Sequence, residues 1–163
     1  LRIYACHAED AAGAGVHPVT SRVGELRDRE LAAGFTTMAA YASFHEQVKA
    51  TKRNLLAFLI DARAQGKCVV GYGAPGKGNT LLNYCGIRSD FLDFTVDRNP
   101  YKQGMFLPGT HIPIFHPDRI AEAKPDYVLI LPWNFKDEIV QQLSYIREWG
   151  GQFVVPIPTV TVN

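Results

Sequence analysis

Apolar residues recur at helical intervals through the first third of the chain and change to short unbroken runs after residue 66. The opening LRIY, residues 1–4, reads as a short strand, and residues 8–20, small and polar with glycines, as a loop or linker. Ser21 is placed to cap a helix over residues 22–33 that Gly34 ends. Thr36 or Thr37 is placed to cap a longer helix running to Gln65 and ended by Gly66. Tyr41, Phe44, Val48, Leu55 and Leu59 keep helical spacing along it, with Thr51 the polar interruption. From Lys67 onward, KCVVGYG is a buried-type strand closed by glycines, and NTLLNYCGI is a helix ending near Gly86. FLDFTVD is a strand ending in Asp97, and HIPIF is a short strand in which Pro113 marks an edge or a bulge. DYVLILPW is a buried strand, KDEIVQQLSYIREWG an amphipathic helix stopped by Gly150, and GQFVVPIPTV a last strand. Apolar strands alternating with helices specify an α/β fold, a Rossmann-like and mainly parallel sheet with helices on both faces, preceded by two helices. The chain divides accordingly into residues 1–20, a leading strand and linker; residues 21–66, a helical segment expected to pack on the sheet; and residues 67–163, the Rossmann-like domain.

In an open parallel sheet, ligands sit beyond the carboxyl ends of the strands. The loops expected there are residues 73–79, 97–103 and 132–134. The first contains GYGAPGKGNT, which fits two phosphate-binding patterns. Gly71, Gly76 and Lys77 make most of a P-loop, but Gly78 stands where the magnesium-binding hydroxyl belongs, and Thr80 is out of register. No later strand ends in a Walker-B acid, because DYVLILPW runs into Pro, Trp and Asn. Gly71, Gly73 and Gly76 make the dinucleotide fingerprint G-x-G-x-x-G in its proper strand-to-helix context, with Asp97 about 20 residues further on. Pro75 removes one backbone donor, tolerably at a first helical turn. Lys77 adds a cation where the helix dipole is already positive, an arrangement that an anion relieves. The residues therefore point to a pocket for a phosphate or diphosphate, without identifying whose.

Composition narrows the partners. The 163 residues are 47% hydrophobic with a formal net charge of +1, which suits one compact domain and gives no concentrated basic surface for nucleic acid. Lys49, Lys52 and Arg53 cluster on a polar helical segment and read as a solvated face. Cys6, Cys68 and Cys85 include no C-x-x-C pair, so neither a zinc site nor a disulfide framework is expected. Free thiols, no spanning apolar stretch and no signal-peptide pattern fit a cytoplasmic protein with no membrane partner. The chain opens on Leu1 rather than Met, which reads as a fragment of something longer.

GYGAPGKGNTLLNYCGI, VDRNPYKQGMFLPGTHIPI, PDYVLILPWN and GGQFVVPIPTV, in that order, resemble the C-terminal domain of bacterial SAM-dependent C-methyltransferases. The likeness is close over residues 67–162 and looser over the preceding helices and LRIY. Family members of known function methylate nucleotide-linked deoxysugars. The resemblance implies that a base removes a proton beside a keto group and that the resulting carbanion or enolate takes the methyl of S-adenosylmethionine. It implies that the SAM domain, a small zinc-binding region and the Tyr-x-Glu-His catalytic segment lie upstream, so residues 1–20 would be the tail of a methyltransferase domain. Tyr41, His45 and Glu46 do not reproduce that segment in order or spacing. No catalytic residue, SAM site or metal site is expected in this chain, which alone would be inactive. Its expected part is to hold a nucleotide-diphosphate sugar. The rival reading is a stand-alone NAD(P)-binding Rossmann domain of an oxidoreductase.

The residues expected to bind substrate are Gly71, Gly73, Ala74, Lys77, Asn79, Asp97, Asn99, Lys102, Gln103, Trp133 and Asn134. Asn79 either caps the helix or reaches a phosphate or sugar. Asp97 either accepts from a sugar hydroxyl or closes an Asp-turn with Asn99 before Pro100. Lys102 either adds a second cation or lies in solvent. Trp133 stacks on a base or packs as core, and Asn134 caps the next helix or serves the site. His7, His17, His45, His111 and His116 read as structural or exposed, and Cys68 and Cys85 as small core residues.

Overall fold

A computed structural model describes residues 3–10, 17–18 and 20–163. It divides into two compact units, Leu1–Glu46 and Gln47–Asn163.

The first unit holds helix α1, Ser21–Ala32, and helix α2, Met38–Ala42, neither of which contains a buried residue. Helix α3, Phe44–Ala64, runs through the division between the units. The single long helix read from the sequence is thus two helices, interrupted at Ser43. Their apolar positions fare differently: Tyr41 and Phe44 are exposed, whereas Leu55 and Leu59 are fully buried. Leu1 and Arg2 of the expected leading strand lie outside the described residues, as do residues 11–16 and 19 of the expected linker. Ile3 and Tyr4 form no strand.

In the second unit, strands β1 (Val69–Tyr72), β2 (Thr95–Val96), β3 (Ile114–Phe115), β4 (Tyr127–Ile130), β5 (Gln152–Val155) and β6 (Thr161–Val162) form one sheet in the order β3-β2-β1-β4-β5-β6. All pairs are parallel except β5 with β6. Of GQFVVPIPTV only Gln152–Val155 is strand: Pro156 and Pro158, which have no N–H to donate, occupy the return to β6, which follows it. β3 is an edge strand, as Pro113 indicated, and residues 104–107 fold back along it through Gly104 N–H to Ile114 O (2.8 Å) and Leu107 N–H to Ile112 O (2.9 Å).

The period of two along the strands separates two cores. Val69, Leu129 and Val154 face Leu55 and Leu59 of α3 and Leu81 and Leu82 of helix α4, Gly76–Cys85. Val70, Val128, Ile130 and Phe153 face Ile120 of helix α5, Arg119–Ala123, and Ile139 of helix α6, Lys136–Gln142. Burial of both faces explains the unbroken apolar runs. α5 carries no strong periodicity in sequence and was not expected. The helix expected to run unbroken to Gly150 continues past α6 as a tighter 3-10 segment, Ser144–Trp149, which keeps Ile146 in the core.

Candidate functional site

The strand order reverses direction between β1 and β4, so the turns leaving these two strands border the switch-point crevice. The first turn is built by close approach. Gly71 lies opposite Thr95 in register, and a Cβ on Gly71 would stand 2.7 Å from Thr95 Oγ1. The space left free lets the buried Thr95 hydroxyl donate to Gly73 O at 2.8 Å. Gly73 takes φ +86° and donates its N–H to Val96 O at 2.6 Å. A Cβ there would lie 2.7 Å from Cδ of Pro132, which follows β4. The chain then enters α4 through Pro75 in extended conformation. The first helical hydrogen bond from this residue runs from Asn79 N–H to Pro75 O. No side chain among the described residues caps α4. The amides of its first turn thus point out of the helix end with the positive end of its dipole.

Two clusters flank this turn. In the first, Asp97 Oδ2 accepts the Ala74 N–H at 2.7 Å and the Lys102 ammonium at 3.2 Å, and Oδ1 accepts the Asn99 N–H at 2.8 Å. Lys102 also donates to Ala74 O at 2.9 Å, and the Gln103 amide donates to Asp97 O at 2.9 Å. Asp97 and Asn99 form the Asp-turn that the sequence offered as one of two readings. In the second cluster, the Lys77 ammonium donates to Asn134 Oδ1 and lies 4.4 Å from the centre of the Trp133 ring. Lys77 therefore does not point freely into solvent. It spans the crevice from the start of α4 to the turn after β4. Trp133 is half-buried and packs against both cores, so its body is structural and its ring face serves the cation.

Neither asparagine is a helix cap. Pro75 precedes α4 and Asn79 is its fourth residue, with an Oδ1 that is buried and meets no donor among the described residues. Asn134 lies inside a 3-10 turn, Trp133–Phe135, and Phe135 precedes α6. Sequence reasoning gave Thr95 no role, and it placed Gly78 and Pro132 in the expected crevice loops without the packing that needs them. A Cβ on Gly78 would come 2.8 Å from Leu131 Cβ, so the packing of α4 on the sheet depends on this glycine, whereas Gly76 has nothing within 4 Å. A glycine in a helix interior, where it is disfavoured, was the available signal.

Behind the crevice, the buried Tyr72 at the end of β1 has its phenol pushed up by burial first, with Arg98 acting in the opposite direction. Its hydroxyl lies 3.5 Å from Gln142 Oε1. At the other end of the sheet, Asp126 accepts from the Lys67 ammonium and the Cys68 N–H, both at 2.9 Å, which hold its carboxyl below the ordinary range. Cys68 donates to Asp93 at 3.3 Å, and burial with this bond pushes its thiol up to about 11. His111 is exposed beside Phe106, and His116 contacts Asp118 at 3.1 Å. Among the described residues, no three His, Cys, Asp or Glu side chains are grouped to hold a metal, and no helix is long and apolar enough to cross a membrane.

A family model described as the C-methyltransferase C-terminal domain matches residues 1–158. The C-methyltransferase NovU of Streptomyces niveus is 37% identical over 171 residues, spanning 97% of this chain and 40% of that protein. The chain thus spans well under half the length of this curated relative. Among solved structures, UDP-D-quinovosamine 4-dehydrogenase from Vibrio fischeri is similar at 21% identity and a TM-score of 0.41, over 55% of this chain and 76% of that one.

Proposed function

The chain belongs to the C-methyltransferase C-terminal domain family, and we propose that it holds the nucleotide-diphosphate sugar that a longer, SAM-dependent protein methylates at carbon. The observation that carries this reading is Lys77: a cation at the open N-terminus of α4, held across the switch-point crevice by Asn134 and the Trp133 ring. The uncapped first turn of α4 carries both its free amides and Lys77, a pairing that suits a diphosphate. The loop from Asp97 to Gln103 forms the neighbouring wall. An arriving diphosphate would take the Lys77 ammonium from Asn134 and free that carboxamide to bond the ligand. Fixing the diphosphate fixes the sugar beyond it, and such positioning contributes to rate without any residue of this chain moving a proton.

S-adenosylmethionine, which supplies the methyl group in such enzymes, fits this turn poorly. The acid that would face its ribose, Asp97, already accepts from Ala74, Asn99 and Lys102. We place the methyl donor, and any zinc, in other parts of a longer protein. The strand order also favours a second reading, a dinucleotide site, because it is the order of dinucleotide-binding domains. Calorimetry on the chain separates the readings: a nucleotide-sugar should bind while NADH and S-adenosylmethionine do not. Low-micromolar binding of either cofactor would contradict the proposal.

A further inference from the structure

At the end of β2, where a dinucleotide-binding sheet presents an acid to a ribose, the Asp97 carboxylate is turned inward and only 14% exposed. A carboxylate has about four acceptor positions. Three are filled from within the chain, by Ala74 N–H, Lys102 and Asn99 N–H. A ribose diol needs both oxygens turned toward it and would find one position. Lys102 is similarly committed: its ammonium donates to Asp97 Oδ2 and to Ala74 O. Both backbone polar groups of Ala74 are thus held, the N–H by the acid and the carbonyl by the cation. Gln103 closes the arrangement by donating to the Asp97 carbonyl. The connection after β2 and the turn into α4 are thereby tied into one body.

Resting on the diphosphate reading above, we propose that Asp97 and Lys102 are positioning residues. They hold Ala74, and with it the turn into α4, in the shape that receives a diphosphate, and neither touches the ligand. The ribose of the nucleotide then lies elsewhere than at the end of β2. This separates the charged groups of the crevice by role: Lys77 contacts the anion, whereas Lys102 and Asp97 neutralise one another beneath the turn.

The test uses the full-length protein, with inorganic pyrophosphate as a probe lacking ribose and uridine diphosphate as one carrying it. Hydrogen exchange at the Ala74 amide is read alongside affinity and melting temperature. Asp97→Ala should speed Ala74 exchange by about tenfold or more, and should weaken both probes by the same factor. Lys102→Met, which leaves no buried charge without a donor to satisfy it, should repeat both effects and serves if Asp97→Ala fails to fold. Loss of uridine diphosphate affinity with pyrophosphate affinity and Ala74 exchange unchanged would make Asp97 a ribose contact and overturn the inference. Weaker pyrophosphate binding in Lys102→Met with Ala74 exchange unchanged would make Lys102 a phosphate contact and overturn it equally. A folded wild type that binds neither probe, while Ala74 exchange still depends on Asp97, would overturn the diphosphate reading itself and reduce the pair to architecture.

Discussion

Gly78 lies so close to Leu131 that a Cβ on the glycine would stand 2.8 Å from the Leu131 Cβ, the separation at which α4 must pull away from β4. Gly71 and Gly73 are equally confined, by Thr95 and Pro132, while Gly76 opens on empty space. The alanine series should therefore split. Gly71→Ala and Gly78→Ala are expected to destabilise by roughly 1–3 kcal/mol through overpacking. Gly73→Ala should add the strain of φ +86° to its contact with Pro132. Gly76→Ala should be neutral, or stabilising by about 0.4–1 kcal/mol through the unfolded chain. Chemical denaturation of the four variants checks the split.

The core on the α3 side yields a second expectation. Leu59 is fully buried among Leu55, Leu82 and the sheet. Leu59→Ala should cost about 2–5 kcal/mol, measured by urea unfolding. Tyr41→Ala, at an exposed position of the same apolar series, should stay within roughly 0.5 kcal/mol.

The contrast between Leu59 and Tyr41 also marks how much was legible in the sequence. The unbroken runs around Val69, Val128 and Val154 specified a sheet covered on both faces, and the helices at Leu81 and Ile139 followed from their spacing. Helical spacing alone did not reveal the interruption at Ser43, since a break with little change of phase leaves the pattern intact. It did not reveal the return at Pro156 either, because VVPIPTV is apolar apart from Thr159; the two prolines were the available signal. The loops of the crevice were found from topology, and the structure brings Lys77 together with Trp133 and Asn134, and Ala74 with Asp97, Lys102 and Gln103. What the sequence could not separate was an acid facing a ligand from one facing its own turn, because Asp97 suits both and only direction distinguishes them. The packing role of Gly78 was not foreseen because its reason is Leu131, just past β4 and more than fifty residues away.

Stability should respond to pH at both extremes through Asp126 and Lys67. The Asp126 pKa is lowered from 3.8, mainly by its bond from Lys67. Its contribution is present above the unfolded value and is lost as pH falls through the folded one. The Lys67 pKa is raised from 10.5, mainly by the same bond. That contribution is complete below 10.5 and is lost as pH rises through the folded value. Asp126→Asn should flatten the melting-temperature profile below about pH 4 and above about pH 10.5. Thermal scans of both proteins from pH 3 to 11 check this, and parallel profiles would count against it.

Cys68 and Cys6 should differ in reactivity. The Cys68 thiol is raised from 9.0 to about 11, by burial first and by Asp93 second, which leaves about a hundredfold less thiolate at pH 8. Cys6 is exposed. Iodoacetamide at pH 8 should therefore modify Cys6 in the folded chain well before Cys68, as peptide mass mapping would show. Asp93→Ala should speed modification of Cys68.

The central claim rests on Lys77, and the most direct measurement is nucleotide-sugar affinity in full-length Lys77→Met, with melting temperature followed in the same samples. The methionine keeps most of the apolar stem over Trp133 and removes the ammonium, its charge and its hydrogen-bond donors together. A charge-assisted hydrogen bond of about 1.5–3 kcal/mol corresponds to roughly a tenfold or greater loss, expected with melting little changed because the ammonium is exposed and its bond to Asn134 crosses an open crevice. A folded Lys77→Met protein that binds the nucleotide-sugar as tightly as wild type would contradict the account, leaving Lys77 a tie between two loops and the glycine-rich turn a matter of packing alone.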